Sequence, residues 1–454
     1  MSIDEVISKQ RVFFNTDITK NVSYRIEALK KLRSAIIINE KKINEALKKD
    51  LNKSSFESYI TEVGLVLNEI SYVLKNIRKW SKIRHVHTPI IHFHSKSFVV
   101  PEPYGVVLLI SPWNFPFQLC LEVLIGAIAG GNCAVVKPSG QSINTSHVIA
   151  DLIGSCFPPE YVKVFEGDRE RNTEILNQKY DYIFFTGGTT TGKHVMECAS
   201  RNLTPVTLEL GGKSPCIIDR TADLKLAAKR IVFGKFLSAG QSCVAPDYLL
   251  IQKSIGDEFI FHLKNAIEES FPGNDFTEMP TIINEKRFSH LLELMKGQKV
   301  FLGGGYVPER NFIEPTVLTD VQYDSPIMQE EIFGPLLPVI VFDEICEIIA
   351  RLKVLPKPLN LYLFTTDKPT EDLILKSLSF GGGCINDTSI HFSTNHLAFG
   401  GVGDSGIGGY HGRFSFDTFT HYKNIMKKYN RIDLPMRYHP FTEKHLKFLK
   451  HFLK

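Results

Sequence analysis

The stretch Val106-Val-Leu-Leu-Ile-Ser-Pro-Trp-Asn-Phe-Pro-Phe117 joins a short apolar run to a turn rich in proline and aromatic residues. Similar apolar runs recur downstream, each separated from the next by enough chain for a helix: Ala134–Val136, Val162–Phe165 and Tyr182–Phe185. Alternating strands and helices predict an α/β fold with a mostly parallel, doubly wound, Rossmann-like sheet. Ligands of such sheets bind beyond the carboxyl ends of the strands. We therefore expect Ser111–Phe117, Lys137–Gly140 and Thr186–Lys193 to converge on one site.

The flanking sequence predicts further elements around this sheet. Two helical patterns precede it, at residues 23–51 and about 57–80, and a second set of strands and helices runs from about Pro215 to Asn386. Between the early helices and the first strand, Ile83–Pro101 shows the alternation of a protruding β-ribbon. We expect two α/β domains and a small β element.

Composition and charge limit the class of protein. The 454 residues are 43% hydrophobic with a net charge of +4, which is ordinary for a soluble globular protein and too small a charge to indicate a nucleic-acid partner. The eight cysteines form no C-x-x-C pair, and the N-terminus is polar. These features predict a cytoplasmic protein.

The C-terminal segment is unusually basic. Residues 421–454 contain 9 Lys/Arg and 2 Asp/Glu, and Leu446, Leu449, Phe452 and Leu453 recur at helical spacing. Such a helix suits weak contact with an anionic membrane surface. It equally suits a cap over a substrate entrance or docking on a partner subunit, and the sequence leaves these alternatives open.

Glycine-rich and histidine-rich motifs admit several interpretations. Gly187-Gly-Thr-Thr-Thr-Gly-Lys193 nearly spells a P-loop, but His194 replaces the hydroxyl that would hold Mg²⁺, so phosphate contact is favoured over NTP hydrolysis. Gly401–Gly406 matches G-x-G-x-x-G without a following βαβ unit and is interpreted as a loop. The pairs His85/His87 and His92/His94 lack further ligands, so no metal site is predicted.

Cys243 and Glu209 are the strongest candidates for catalysis. Cys243 is flanked by Gly, Ser and Ala, which let a thiolate approach a substrate, and Glu209 precedes Gly211-Gly212. A thiolate can form a covalent thioester, and a carboxylate can then activate water to hydrolyse it. A buried structural thiol, an ordinary salt bridge and a cysteine hydrolase are the alternatives.

Taken together, these residues resemble the aldehyde dehydrogenase superfamily over nearly the whole chain. The stretches Leu203-Thr-Pro-Val-Thr-Leu-Glu209, Cys243–Tyr248 and Tyr410-His-Gly412 are similar to its class 3 branch, which handles medium or long aliphatic and aromatic aldehydes. The motifs that carry the resemblance are Ser111-Pro-Trp-Asn-Phe-Pro-Phe117, Lys137-Pro-Ser139, Phe185-Thr-Gly187, Leu208-Glu-Leu-Gly-Gly-Lys213, Gly240-Gln-Ser-Cys243 and Glu330-Glu-Ile-Phe-Gly-Pro335.

The resemblance implies NAD(P)-dependent oxidation of such aldehydes to acids. Cys243 would be the nucleophile, Asn114 an oxyanion donor and Glu209 the base for hydrolysis, which disfavours a CoA-acylating relative. Gly140 replaces a carboxylate common in relatives, which favours use of NADP as well as NAD. The implied cofactor-binding residues are Trp113, Lys137, Ser139, Thr186, Gly187, Gly188, Gly192, Gly211, Glu331 and Phe333.

The resemblance also implies a division of the chain and a homodimer. Residues 1–82 and 103–207 would bind the cofactor, and 208–386 would form the catalytic domain. Residues 83–102 with about 407–425 would bridge subunits, and 430–454 would form the basic tail helix.

Overall fold

Two central sheets, of six and seven strands, organise the computed structural model, which describes residues 1–452. The helices are α1 (Ile3–Phe14), α2 (Val22–Leu51), α3 (Ser55–Ser58), α4 (Gly64–Trp80), α5 (Gln118–Gly130), α6 (Ile143–Cys156), α7 (Arg169–Leu176), α8 (Thr189–Ser200), α9 (Leu224–Phe236), α10 (Gly256–Ser270), α11 (Glu285–Met295), α12 (Ile345–Val354), α13 (Lys368–Ser377), α14 (Arg413–Thr418) and α15 (Glu443–Phe452). The strands are β1 (Arg84–Val86), β2 (Ser95–Pro103), β3 (Val106–Ile110), β4 (Cys133–Lys137), β5 (Val162–Val164), β6 (Tyr182–Thr186), β7 (Val206–Glu209), β8 (Pro215–Ile218), β9 (Tyr248–Gln252), β10 (Lys299–Leu302), β11 (Tyr306–Val307), β12 (Phe312–Ile313), β13 (Thr316–Thr319), β14 (Leu336–Phe342), β15 (Asn360–Phe364), β16 (Gly382–Ile385), β17 (Gly406–Ile407) and β18 (Thr420–Lys428).

The first sheet has the order β17-β7-β6-β3-β4-β5, and its strands from β3 to β7 are parallel. Both faces are covered, which explains why these strands are continuous apolar runs rather than alternating ones. Helix α5 is buried along its whole length and is apolar apart from Gln118 and Glu122. The predicted parallel, Rossmann-like sheet is confirmed.

The second sheet has the order β10-β13-β14-β9-β8-β15-β16 and is parallel except for the edge strand β10. Helices α9 and α10 pack together over its core cluster. Strand β7 of the first sheet ends at Glu209, so the boundary predicted at 207/208 passes through a strand, and the change of domain follows Glu209.

A third sheet is built from distant segments, in the order β1-β2-β18. Strand β18 pairs with β2 over nine residues, from Thr420 opposite Pro103 to Lys428 opposite Ser95. The predicted ribbon is therefore present, and residues 420–425 of the late segment predicted at about 407–425 pair with it. Gly406–Ile407 pairs with β7 in the first sheet, and α14 packs on α5 before β18 begins.

In the described part of the chain, no helix is long and apolar enough to cross a membrane, and no cluster of His, Cys, Asp and Glu is arranged to hold a metal ion. The predicted tail helix is present as α15, which leaves Leu446 and Phe448 exposed. Leu453 and Lys454 of that prediction lie outside the described residues.

Candidate active site

Cys243 lies on a loop whose backbone is strained. Ser238 and Ala239 both have φ of 53°, and Gly240 has φ of 71°. Left-handed backbone is costly for residues with a side chain, and it persists where the surroundings enforce it, often at functional sites. At the far end of this loop, the carbonyl of Cys243 accepts a hydrogen bond of 2.8 Å from Asn360 Nδ2. The thiol is therefore presented on a loop that is fixed on both sides.

Two cavities meet at Cys243. The first, which we call the thiol cavity, has a volume of about 260 Å³ and is lined by Asn114, Glu209, Glu331 and the glycines that follow β6. The second, which we call the apolar cavity, has a volume of about 200 Å³. Its lining is Ile60, Thr61, Leu65, Phe115, Leu119, Phe233, Leu237, Ser242, Cys243, Val244, Ser389, Ile390, Phe392 and Ser393. The thiol can therefore be reached from a polar side and from an apolar side.

Burial controls the protonation of Cys243. Desolvation, followed by the charges of Glu331 and Glu209, raises the pKa of the thiol to about 12, against smaller opposing hydrogen bonds from the amides of Cys243 and Val244. The thiol is the resting form at neutral pH, so attack requires removal of its proton. Both carboxylates that influence the thiol face the thiol cavity.

Glu209 ends β7 at the carboxyl edge of the first sheet, with 2% of its surface exposed. Neither carboxylate oxygen has a hydrogen-bond partner among the described residues. Burial raises the pKa of this carboxyl well above its usual range. A carboxylate whose pKa is raised accepts a proton more readily than an exposed one, as a general base requires.

Asn114 is buried in the loop between β3 and α5. Its backbone carbonyl accepts a hydrogen bond of 2.9 Å from Lys53 Nζ, and Lys53 forms an ion pair of 2.6 Å with Glu62. Asn114 lines the thiol cavity together with Cys243, so the structure brings together all three predicted catalytic residues, Cys243, Glu209 and Asn114.

Glu331, Phe333 and Trp113 form the opposite wall of the thiol cavity. Burial raises the pKa of Glu331 to about 8. A Cβ at Gly211 would stand 2.0 Å from Glu331 Oε2, so only glycine lets this carboxylate approach the backbone. Phe333 has φ of 49° and meets Trp113 edge to face at a ring distance of 5.4 Å.

A nucleotide-sized groove of about 390 Å³ continues the thiol cavity along the carboxyl ends of β3, β4 and β6. It is lined by Lys137, Ser139, Gly140, Thr186, Gly187 and Gly188, among others. Lys137 Nζ donates to the carbonyls of Pro138 and Gly167, at 2.7 and 2.8 Å, and burial lowers the pKa of this amine to about 8. Thr186 Oγ1 is buried without a described partner. Open space around Gly188, at the start of α8, leaves room for a phosphate.

Gly192 lines neither the thiol cavity nor the groove, and its cofactor contact remains a prediction. Helix α8 begins at Thr189, so Gly192 lies inside the helix, where a Cβ would stand 2.5 Å from Leu210 Cδ2. Its lack of a side chain allows close helix packing and does not open the groove. The other predicted cofactor residues, from Trp113 to Phe333, all line the thiol cavity or the groove.

Some residues around the site were missed from the sequence. Lys53 and Glu62 contact the Asn114 loop, and Asn360 holds the Cys243 carbonyl. His391 Nε2 lies 2.9 Å from Asn360 Oδ1, which extends this network to the wall of the apolar cavity. None of these residues belongs to a recognisable motif, since each acts across a long chain separation.

The fold and site define a class of protein: a two-domain α/β enzyme with a thiol between a nucleotide-sized groove and an apolar cavity. A family model described as "Aldehyde dehydrogenase family" matches residues 2–425. The chain belongs to the aldehyde dehydrogenase family, whose enzymes oxidise aldehydes to carboxylic acids with NAD or NADP. The predicted family is confirmed, and the chain is an oxidoreductase.

Similar proteins lie close in sequence and in structure. The 4,4'-diaponeurosporen-aldehyde dehydrogenase of Staphylococcus aureus is 45% identical, over 100% of this chain and 99% of that protein. The aldehyde dehydrogenase of Canis lupus familiaris described as dimeric and NADP-preferring is 39% identical, over 97% and 98%. The solved structure of a substrate-bound state of Staphylococcus aureus AldH superposes with a TM-score of 0.98, at 44% identity and 100% coverage of both chains.

Proposed function

We propose that this enzyme oxidises long apolar aldehydes through a thioester on Cys243. The observation that carries the proposal is the position of this thiol, at the junction of an apolar cavity with a polar one that holds Asn114 and Glu209. An apolar aldehyde in the apolar cavity would present its carbonyl carbon to the sulfur. Its chain would lie against Phe115, Phe233 and Leu237.

Each proposed step follows from groups that face the thiol. Cys243 loses its proton to a neighbouring carboxylate, and its sulfur bonds to the aldehyde carbon. The side-chain amide of Asn114 and the N–H of Cys243 donate to the resulting oxyanion, and one lost donor in such a site costs on the order of 3 kcal/mol. NAD or NADP supplies the hydride acceptor. Glu209 takes a proton from water as the water oxygen attacks the thioester, which releases the acid and restores the thiol.

We assign cofactor binding to the groove and to the outer wall of the thiol cavity. Lys137 and Ser139 would hold the adenosine end, and Thr186 to Gly188 would lie along the phosphates. Glu331 with Phe333 would hold the nicotinamide end. Gly140 presents no carboxylate to a 2′-phosphate, and the similar dog enzyme is described as NADP-preferring. Both observations support use of NADP as well as NAD.

We propose a homodimer bridged by the three-stranded sheet. Strand β18 is an edge strand of that sheet, with Ile425 and Met426 exposed. Unpaired edges invite pairing with another chain, and the similar dog enzyme is described as dimeric. Light scattering should give twice the 51.4 kDa chain mass, and a stable monomer would refute the dimer.

We propose a cytoplasmic location, supported by the cysteines. All eight are free thiols in the structure. Free thiols fit a reducing compartment. Fractionation of the native host, with the enzyme found in the membrane-free supernatant, tests this location.

The test of the proposed function is NAD(P)H formation with aldehydes of rising chain length, for the native enzyme beside Cys243→Ala. Each methylene buried in the apolar cavity contributes about 0.8 kcal/mol, or about fourfold in kcat/KM. We expect a steep rise with length up to the capacity of the cavity, and no NAD(P)H in the variant. A flat dependence on chain length would reject the apolar substrate class, and activity in Cys243→Ala would reject the thioester route.

A further inference from the structure

A short segment between α2 and α4 carries two fully buried charged side chains and a third that is half-buried. Lys53 and Glu62 have no exposed side-chain surface, and Glu57 is held by a backbone amide. Burying charges is expensive unless they are paired and hydrogen-bonded. No step proposed for the reaction uses these groups, so their cost requires another explanation.

The Lys53–Glu62 pair is attached to the loop that carries Asn114. Lys53 Nζ donates to the Asn114 carbonyl at 2.9 Å and lies 4.0 Å from the centre of the Phe115 ring. Glu62 Oε2 accepts from the amides of Phe117 and Gln118, at 2.8 and 3.2 Å. The pair therefore fixes this loop from the Asn114 carbonyl to the first turn of α5.

Glu57 is attached to the other half of the site. Its Oε1 accepts from the amide of Ser238 at 2.7 Å. Ser238 is the first of the three left-handed residues that lead to Cys243. A carboxylate on this amide helps to hold a backbone conformation that is unfavourable without such support.

The same segment forms part of the apolar cavity. Residues Tyr59–Val63 form a π-helical turn, a local irregularity that is frequent at functional sites. Ile60 and Thr61, within this turn, line the apolar cavity. One element thus touches the substrate cavity, the Asn114 loop and the Cys243 loop.

From this geometry we infer that Lys53 and Glu62 are positioning residues that set the oxyanion-binding amide of Asn114 relative to Cys243. The inference rests on the oxyanion role proposed for Asn114. Its physical basis is that a displacement of about 1 Å at a reacting centre can cost about a hundredfold in rate. The ion pair holds the Asn114 carbonyl, and with it the direction of the Asn114 side chain.

The informative variant is Lys53→Met with Glu62→Gln in the same chain. Both charges of the fully buried pair are then removed together, and the glutamine oxygen still accepts from the amides of Phe117 and Gln118, so the variant folds. The Asn114 carbonyl alone loses its partner. Arg25→Met is the matched control, because Arg25 is another buried cation on carbonyls, those of Thr19 and Ala129, away from the site.

The measurements separate positioning from general damage. We expect kcat for aldehyde oxidation to fall roughly 10- to 100-fold in the double variant. Cofactor affinity and the rate of Cys243 alkylation by iodoacetamide, which develops no oxyanion, should stay at native values. In an Asn114→Ala background the same two substitutions should cost less than about twofold, because the group they position is gone. Arg25→Met should lower the melting temperature without changing kcat.

The outcomes are distinct. Equal losses in the native and Asn114→Ala backgrounds, or a parallel fall in alkylation and cofactor affinity, would overturn the positioning role and leave the proposed function intact. Full activity of Asn114→Ala alone would instead overturn the proposed oxyanion role, and this inference with it. If the double variant is insoluble, Lys53→Arg, which keeps the charge but changes its geometry, is measured in the same two backgrounds with the same expected non-additivity.

Discussion

Replacing Glu209 by Gln should convert the enzyme into one that completes a first turnover and then stalls. The two side chains have the same shape, and neither oxygen of Glu209 has a described partner that the amide would disrupt. The variant should therefore fold and form the thioester. It lacks only the group that activates water, so we expect kcat to fall on the order of 10²-fold or more, as for loss of a general base.

Stopped-flow absorbance of NAD(P)H measures this directly. We expect a rapid burst of one NAD(P)H per subunit, followed by a slow steady state, in Glu209→Gln. Glu331→Gln is the matched control, because Glu331 also faces the thiol and its charge raises the pKa of Cys243 more than that of Glu209 does. It should weaken cofactor binding and give no burst. A burst in Glu331→Gln and none in Glu209→Gln would refute the assignment of the base.

The pH dependence supplies a second readout of the same substitution. Burial raises the pKa of Glu209 well above its usual range, so the base form, and with it the native steady-state rate, should keep increasing with pH beyond the range in which an exposed carboxyl is already ionised. The folded state binds this proton more tightly than the unfolded state, so the carboxyl lowers stability as pH rises above its unfolded pKa. The melting temperature of Glu209→Gln should therefore exceed the native value by an amount that grows with pH.

Four further outcomes follow from individual contacts. Lys235 is fully buried without a described hydrogen-bond partner, and burial lowers the pKa of its amine to about 8. Lys235→Met should therefore raise the free energy of unfolding at pH 7 by on the order of 3 kcal/mol. Thermal melts should show this gain shrinking toward pH 10. Asp168 lines the groove and caps α7; Asp168→Asn keeps the cap, so the ratio of kcat/KM for NADP over NAD should rise severalfold, and an unchanged ratio would remove this carboxylate from cofactor selection. Leu65→Trp should fill part of the apolar cavity and reduce kcat/KM for long aldehydes more than for short ones. Equal losses would mean that the hydrocarbon chain of the substrate lies outside this cavity. If α15 contacts membranes, a larger fraction of the intact chain than of a chain ending at Pro440 should pellet with anionic vesicles. Equal fractions would dismiss that contact.

Strands β3, β4 and β6 of the first sheet could be predicted closely because each contains an apolar run separated from the next by turn residues and a helix. The run Val106–Ile110 coincides with β3, and the second helical pattern was placed correctly apart from its π-helical turn. Gly192 could not be placed inside α8 from the sequence, because a glycine-rich string does not reveal where a helix begins. Its close approach to Leu210 is a tertiary contact.

The candidate site was predictable only as far as its motifs reach. Cys243, Glu209 and Asn114 belong to recognisable strings, and the sheet brings those strings together. Lys53 is 61 residues from the carbonyl it holds, and Asn360 is 117 residues from Cys243. Such pairs depend on how two domains and a connecting segment pack, and no local pattern encodes that packing.

Two buried carboxylates near the site, Glu62 and Glu209, differ in their partners. Glu62 is buried as deeply as Glu209, yet it has Lys53 and two backbone amides as partners, as expected for a side chain that holds structure. Glu209 has none, so the fold carries a cost there that only a reaction partner can offset. A water molecule attacking a thioester at Cys243 would supply that partner during turnover. The contrast explains the different outcomes expected for the two exchanges to Gln. Glu209→Gln should stabilise the protein, whereas Glu62→Gln combined with Lys53→Met should displace Asn114.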